Sequence, residues 1–158
     1  MQYLLERLPG PFPAGEELLY HAACHAEWTG VSKVKAAESY RQALAGMLGT
    51  RVSLSPGCCG ESGMGALTSP EIYNRLRARK KEQLDKDLEG ADRKRPILVG
   101  CPSCKIGIRR SLIQMKRHNP VLHATEYVAQ AVGGPKWRRA LKKMLDGAER
   151  RGKTLIVE

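Results

Sequence analysis

Aromatic side chains are scarce in this sequence: one Phe, two Trp and five Tyr among 158 residues. A basic face that stacks nucleobases needs aromatics interleaved with its cations, and few are available. No recognised nucleic-acid-binding motif compensates, so nucleic acid is not an expected partner. Also missing is any apolar stretch near the roughly 20 residues that cross a bilayer. The N-terminus lacks the charged, apolar and small-residue succession of a signal peptide. The expected location is therefore cytoplasmic, with at most a peripheral association at the inner face of the membrane, and thiols there stay reduced. An even cysteine count is lacking as well. Five cysteines stand at positions 24, 58, 59, 101 and 104, and an adjacent pair such as Cys58 and Cys59 rarely meets disulfide geometry. A disulfide framework is thereby disfavoured, and ligands or catalytic thiols are expected instead.

Charge is plentiful. Lys and Arg number 27 against 16 Asp and Glu, a formal net charge of +11. That balance favours acidic partners, anionic substrates or a negatively charged surface, and says nothing about fold. The length suits one domain that can bury a core without staples.

The segment 1–15 gathers proline and glycine from Pro9 to Gly15 and reads as a linker or extended arm, as in the middle of a longer chain. An alternation then begins. "ELLYHAAC" is a short apolar run ending in Cys24. In "VKAAESYRQALAGMLG", Val34, Ala37, Tyr40, Leu44, Met47 and Leu48 recur at helical spacing, closed by Gly49. "RVSLS" is strand-like and runs into the double cysteine. Ser69 and Pro70 suit the N-cap and first position of a helix over 71–88, with Ile72, Leu76, Leu84 and Leu88 on one face. "PILVG" is a buried strand leading into Cys101, residues 105–117 read as helix, "NPVLHA" as a fourth strand, and "TEYVAQAVGG" as a short helix ended by glycines. A tail over 135–158 holds a basic amphipathic helix and a terminal strand, "TLIV". The order β-α-β-α-β-α-β predicts an α/β fold: an open, mostly parallel sheet with helices on both faces. Cys24, the pair Cys58 and Cys59, and the pair Cys101 and Cys104 each follow a strand. Loops after parallel strands gather at the C-terminal edge of the sheet, so all five thiols are expected there.

Counting ligands bears on what they hold. Structural zinc takes four ligands, one fewer than five thiolates supply. An iron–sulfur cluster spreads its attachment points over several irons, so adjacent cysteines can reach different ones. The glycines of "SPGCCGESGMG" let the backbone wrap closely and aim amides at sulfur.

The blocks "YHAACHAEW", "SPGCCGESGMG" and "LVGCPSCKIGIRRSL" resemble the CCG or cysteine-rich domain from about Leu18 to Val132, which implies an iron–sulfur domain over residues 16–134. That family includes the heterodisulfide reductase B subunit and the iron–sulfur subunits of glycolate and lactate oxidases. The resemblance implies Cys24, Cys58, Cys59, Cys101 and Cys104 as ligands of a 4Fe-4S cluster of noncubane type; zinc or an ordinary cubane is the alternative content. Family members usually hold two such domains in tandem, often after a ferredoxin-like region. This chain has one cysteine set and no C-x-x-C-x-x-C run. The resemblance is thus to the last domain, or a detached subunit, of a larger Fe-S oxidoreductase rather than to a complete enzyme. It implies electron transfer beside a flavin (FAD or FMN) dehydrogenase domain or subunit that oxidises a 2-hydroxy acid, or a heterodisulfide reductase type of chemistry. A second CCG domain, a ferredoxin-like domain or a homodimer through the vacated face are the accompanying partner expectations.

Four further residues stand beside the motifs. His21 and His25 flank Cys24 and read as hydrogen-bond donors around the centre or as exposed side chains, ahead of ligation. Glu61 follows the CCG triplet and reads either as a solvated loop acid or as a proton acceptor. Lys105 opens a helix after Cys104, and reads as helix surface or as an offset for cluster charge. In the tail helix, Trp137, Leu141, Met144, Leu145 and Ala148 form a stripe opposite Arg138, Arg139, Lys142 and Lys143. Packing on the domain is the expectation, with a docking surface as the sharper reading. Two rivals to electron transfer remain open: a zinc or cubane docking module without redox chemistry, and a metal-free dithiol enzyme.

Overall fold

The computed structural model describes residues 10–12, 15–24, 32–61 and 65–150. Four short strands form one parallel sheet in the order β2-β1-β3-β4: β1 (Leu18–His21), β2 (Val52–Leu54), β3 (Ile97–Val99) and β4 (Val121–His123). Leu18 pairs with Val52, Leu19 with Ile97, and Ile97 with Val121. Helices connect and cover them: α1 (Lys33–Leu48), the single turn α2 (Gly65–Thr68), α3 (Pro70–Asp87), α4 (Pro102–Gln114), α5 (Ala124–Gly133) and α6 (Trp137–Arg150).

Alternation along the strands divides the core in two. Leu18, Tyr20 and Leu98 face one side with Leu44 and Leu48 of α1 and Tyr127 and Val128 of α5. Leu19, Ile97 and Val99 face the other with Leu84 of α3 and Ile108 and Leu112 of α4. Both faces are covered, which explains why the strands read as continuous apolar runs. The chain leaves β1 toward β2 on one side, while β3 docks on the other, so β1 and β3 flank the point where strand order reverses. That is where open parallel sheets form a crevice.

Most expected elements form, with instructive differences. Gly49 ends α1 in the left-handed conformation, its N–H bonded to the Ala45 carbonyl. The helix expected over 105–117 starts three residues earlier, because Pro102 occupies its first turn and Cys101 its N-cap. This places Cys104 inside the helix. In α3 the expected apolar face holds only in part: Leu84 and Leu88 are buried, whereas Ile72 is 58% exposed. An 18-residue helix runs about 27 Å and a three-residue strand only about 10 Å, so the first turns of α3 overreach the sheet. The stripe of α6 is packed away only in part, at Ala148. Leu141, Met144 and Leu145 are 40–54% exposed. "TLIV" and most of the proline-rich arm lie outside the described residues, although Phe12 packs on the α1 side of the core. Among the described residues no helix is long and apolar enough to cross a membrane.

Candidate metal centre

At the C-terminal edge of the sheet, three buried side chains close into one group. His21 ends β1, Cys59 sits in the loop after β2, and Cys104 lies in the first turn of α4. A ligand atom from each lies within 4.8 Å of the others. Local structure explains each position. Cys101 is the N-cap of α4, but its side chain makes no capping bond, leaving the sulfur free beside the cysteine group. Cys104 benefits from the helix N-terminus, where unpaired N–H groups favour negative charge. The loop bearing Cys58 and Cys59 turns at Gly60, whose φ is +72° and whose N–H points at the Cys58 sulfur at 3.4 Å.

Electrostatics divide the two buried thiols. The hydrogen bond with Cys104 holds Cys59 well below the ordinary thiol range, against burial and with support from His21 and the Glu61 backbone. Cys104 is pushed up, first by the same bond and next by burial. The pair thus shares one proton. Burial holds His21 below the usual imidazole range; its bond to Cys59 opposes this, and the charge of Lys80 adds to it.

Lys80 is the residue that motif reading misses. It is 2% exposed, and its Nζ donates to Ser55 Oγ at 2.6 Å and to the Pro56 carbonyl at 2.9 Å, with His21 Nδ1 at 3.2 Å. Burial brings its ammonium down to about 8, offset in part by Asp87, Cys59, Cys104 and Cys58. A signal for it did exist: position 80 stands on the same four-residue spacing as Ile72, Leu76, Leu84 and Leu88, but a lysine in an apolar stripe is easily passed over. Beside this residue opens a cavity of about 320 Å³, walled by Cys58, Leu76, Arg79, Lys80 and Gln83.

Two soft sulfur donors and one imidazole, gathered at a buried strand edge with Cys101 at the cap of the same helix, suit a thiophilic metal or a thiolate-bound cluster. A family model, the CCG cysteine-rich domain, matches residues 18–109, a span that starts with β1 and ends within α4. The chain belongs to the cysteine-rich domain family. No curated protein and no solved structure matches it.

Within this cysteine-rich domain, the remaining expected residues divide by position. Cys58 is half-buried on the same loop as Cys59, and Cys24 is exposed just past β1. His21 belongs to the buried group itself, whereas His25 lies outside the described residues. Glu61 is neither a solvated acid nor free: Arg110 binds its carboxylate at 2.8 Å and Arg77 lies at 4.0 Å. It ties the double-cysteine loop to α3 and α4. Lys105 gives its ammonium to Glu126 of α5, which directs that charge to α5.

Proposed function

We propose that this cysteine-rich domain holds an iron–sulfur centre and serves as the electron-transfer domain or subunit of a flavin-linked oxidoreductase of the 2-hydroxy-acid dehydrogenase or heterodisulfide reductase type. The observation that carries the reading is the convergence of Cys59 and Cys104 with His21 at the strand edge, with Cys101 at the N-cap of the helix that bears Cys104 and Cys58 next to Cys59 in the same loop. Cys24, Cys58, Cys59, Cys101 and Cys104 would be the ligands, and the residues present fit thiolate ligation. When bound, a cluster of this kind supplies a site that gains and releases single electrons. The chain's own contribution is burial, orientation and charge. The loop clamp made by Glu61, Arg77 and Arg110 holds the adjacent cysteines in place, and the α4 N-terminus stabilises thiolate at Cys104. Electrons would arrive from FAD or FMN on a partner domain or subunit.

A second reading has its own observation. His21, Cys59 and Cys104, with Cys101 beside them, also make a four-ligand set of the kind structural zinc takes. Iron, zinc and acid-labile sulfide content, with a visible spectrum, separate the two on anaerobically purified chain. The expected result is about four irons and four sulfides per chain, reduced or altered in Cys58→Ser. About one zinc without sulfide, unchanged in Cys58→Ser, overturns electron transfer in favour of a docking module.

A further inference from the structure

Lys80 reaches from the middle of α3 into the loop after β2 and ends against the side chain that closes β1. An ammonium has three N–H donors and no acceptor. Here three acceptors meet it: Ser55 Oγ at 2.6 Å, the Pro56 carbonyl at 2.9 Å and His21 Nδ1 at 3.2 Å. Among the described residues no carboxylate forms an ion pair with it, Asp87 two turns along α3 acting on it only at longer range together with the cysteines, and it is 2% exposed. An unpaired buried cation is costly unless a negative charge belongs nearby.

The contact with His21 carries chemical information. The Ser55 carbonyl oxygen also stands 3.1 Å from Nδ1. A bond to that oxygen would need the proton on Nδ1, and an ammonium donor would then face another donor. Placing three donors on three acceptors has Nδ1 accept, which puts the imidazole proton on Nε2. A ring nitrogen of His21 lies within 4.8 Å of the Cys59 sulfur, so a proton on Nε2 offers that thiolate a donor.

We propose that Lys80 is a positioning residue for the centre: it sets the His21 tautomer and serves as the fixed buried counter-charge of the cysteine thiolates. The counter-charge role rests on the electron-transfer reading; the tautomer is a property of the metal-free chain. A fixed cation stabilises the reduced centre, which carries one more negative charge, over the oxidised one. Removing it makes reduction harder while leaving every cysteine in place.

The test compares Lys80→Met and Lys80→Arg with wild type, each loaded anaerobically with iron and sulfide, by metal content and by potentiometric titration. Lys80→Met is expected to keep its iron and sulfide while the reduced-to-oxidised ratio at a given potential falls about tenfold, a midpoint lower by about 59 mV for one electron. Lys80→Arg is expected to return the midpoint to the wild-type value. A loaded Lys80→Met with the wild-type midpoint overturns the counter-charge role and leaves electron transfer standing. Zinc without sulfide in wild type overturns both together. Should Lys80→Met hold no centre, retention of content and midpoint by Lys80→Arg supports the charge, and loss in both overturns it in favour of packing. The tautomer is read on metal-free wild type from the ¹⁵N shifts of the His21 ring. A proton on Nε2 supports the assignment, and one on Nδ1 overturns it.

Discussion

A β-carbon on residue 107 would stand 2.8 Å from the carbonyl oxygen of Cys59, and Gly107 is what lets α4 lie against the double-cysteine loop. The Glu61 β-carbon would be equally close. Neither neighbour is the loose end of a side chain, so neither can step aside cheaply. Gly107→Ala gains about 1 kcal/mol of helix preference but forces an overlap of a kind that costs about 1–3 kcal/mol. A net loss of up to about 2 kcal/mol is expected on these two magnitudes, read as a lower urea midpoint at unchanged slope. A midpoint at or above wild type would show that the loop yields freely. That same contact explains why a glycine sits in the middle of an otherwise ordinary helix.

Burial predicts the order in which thiols react. Cys24 is exposed, Cys58 and Cys101 are half-buried, and Cys59 and Cys104 are buried. In the metal-free chain a thiol reagent should modify Cys24 first. Cys59 and Cys104 should react only after denaturant is added, despite the depressed thiol of Cys59, because the reagent cannot reach them. Peptide mapping after timed quenching reads the order. Early labelling of Cys104 would show that the edge of the sheet opens without global unfolding.

Stability against acid should depend on Glu126. Its carboxyl is held below the ordinary value of 4.5, first by the hydrogen bond from Lys105 and then by the His123 N–H. The folded state therefore releases this proton more readily than the unfolded state. The contribution is fully present above the ordinary value and is lost as the pH falls through it toward the lower folded value. Glu126→Gln should lack this contribution, so wild type loses stability more steeply than the variant between about pH 5 and pH 3. Urea titrations at stepped pH check it, and parallel curves would refute the coupling.

The two ends of the hydrophobic scale differ sharply here. Leu84 is fully buried in the core layer beneath Cys59 and Cys104, and Leu84→Ala should cost about 2–5 kcal/mol. Met144 on α6 is 54% exposed, and Met144→Ala should stay within about 0.5 kcal/mol. Chemical denaturation of both variants tests the contrast. A large loss at Met144 would show that the α6 stripe is covered in solution.

Element order was legible because its signals are local. Apolar runs marked the strands, four-residue spacing marked the helices, and Gly49, Pro70 and the glycines after α5 marked ends. Placing each cysteine motif after a strand followed from that order alone, and so did a shared edge for Cys59, Cys101 and Cys104. Lys80 was not legible in the same way. Side-chain chemistry argued for solvent, and only the acceptors offered by Ser55, Pro56 and His21 made burial tolerable. Ile72 failed in the opposite sense: its apolar character argued for the core, but the sheet beside α3 was too short to reach it.

By itself, then, the sequence determined an alternating α/β chain whose strands are buried on both faces and whose thiols follow those strands. Periodicity and turn residues act within a few positions, and they suffice for that. The tertiary structure alone decided the strand order β2-β1-β3-β4, the burial of His21 and Lys80 together, and the clasp of Glu61 by Arg77 and Arg110. These depend on which distant segments pack side by side, and residues 21, 59, 80 and 104 acquire a common chemistry only when β1, the loop after β2, α3 and α4 meet at one edge.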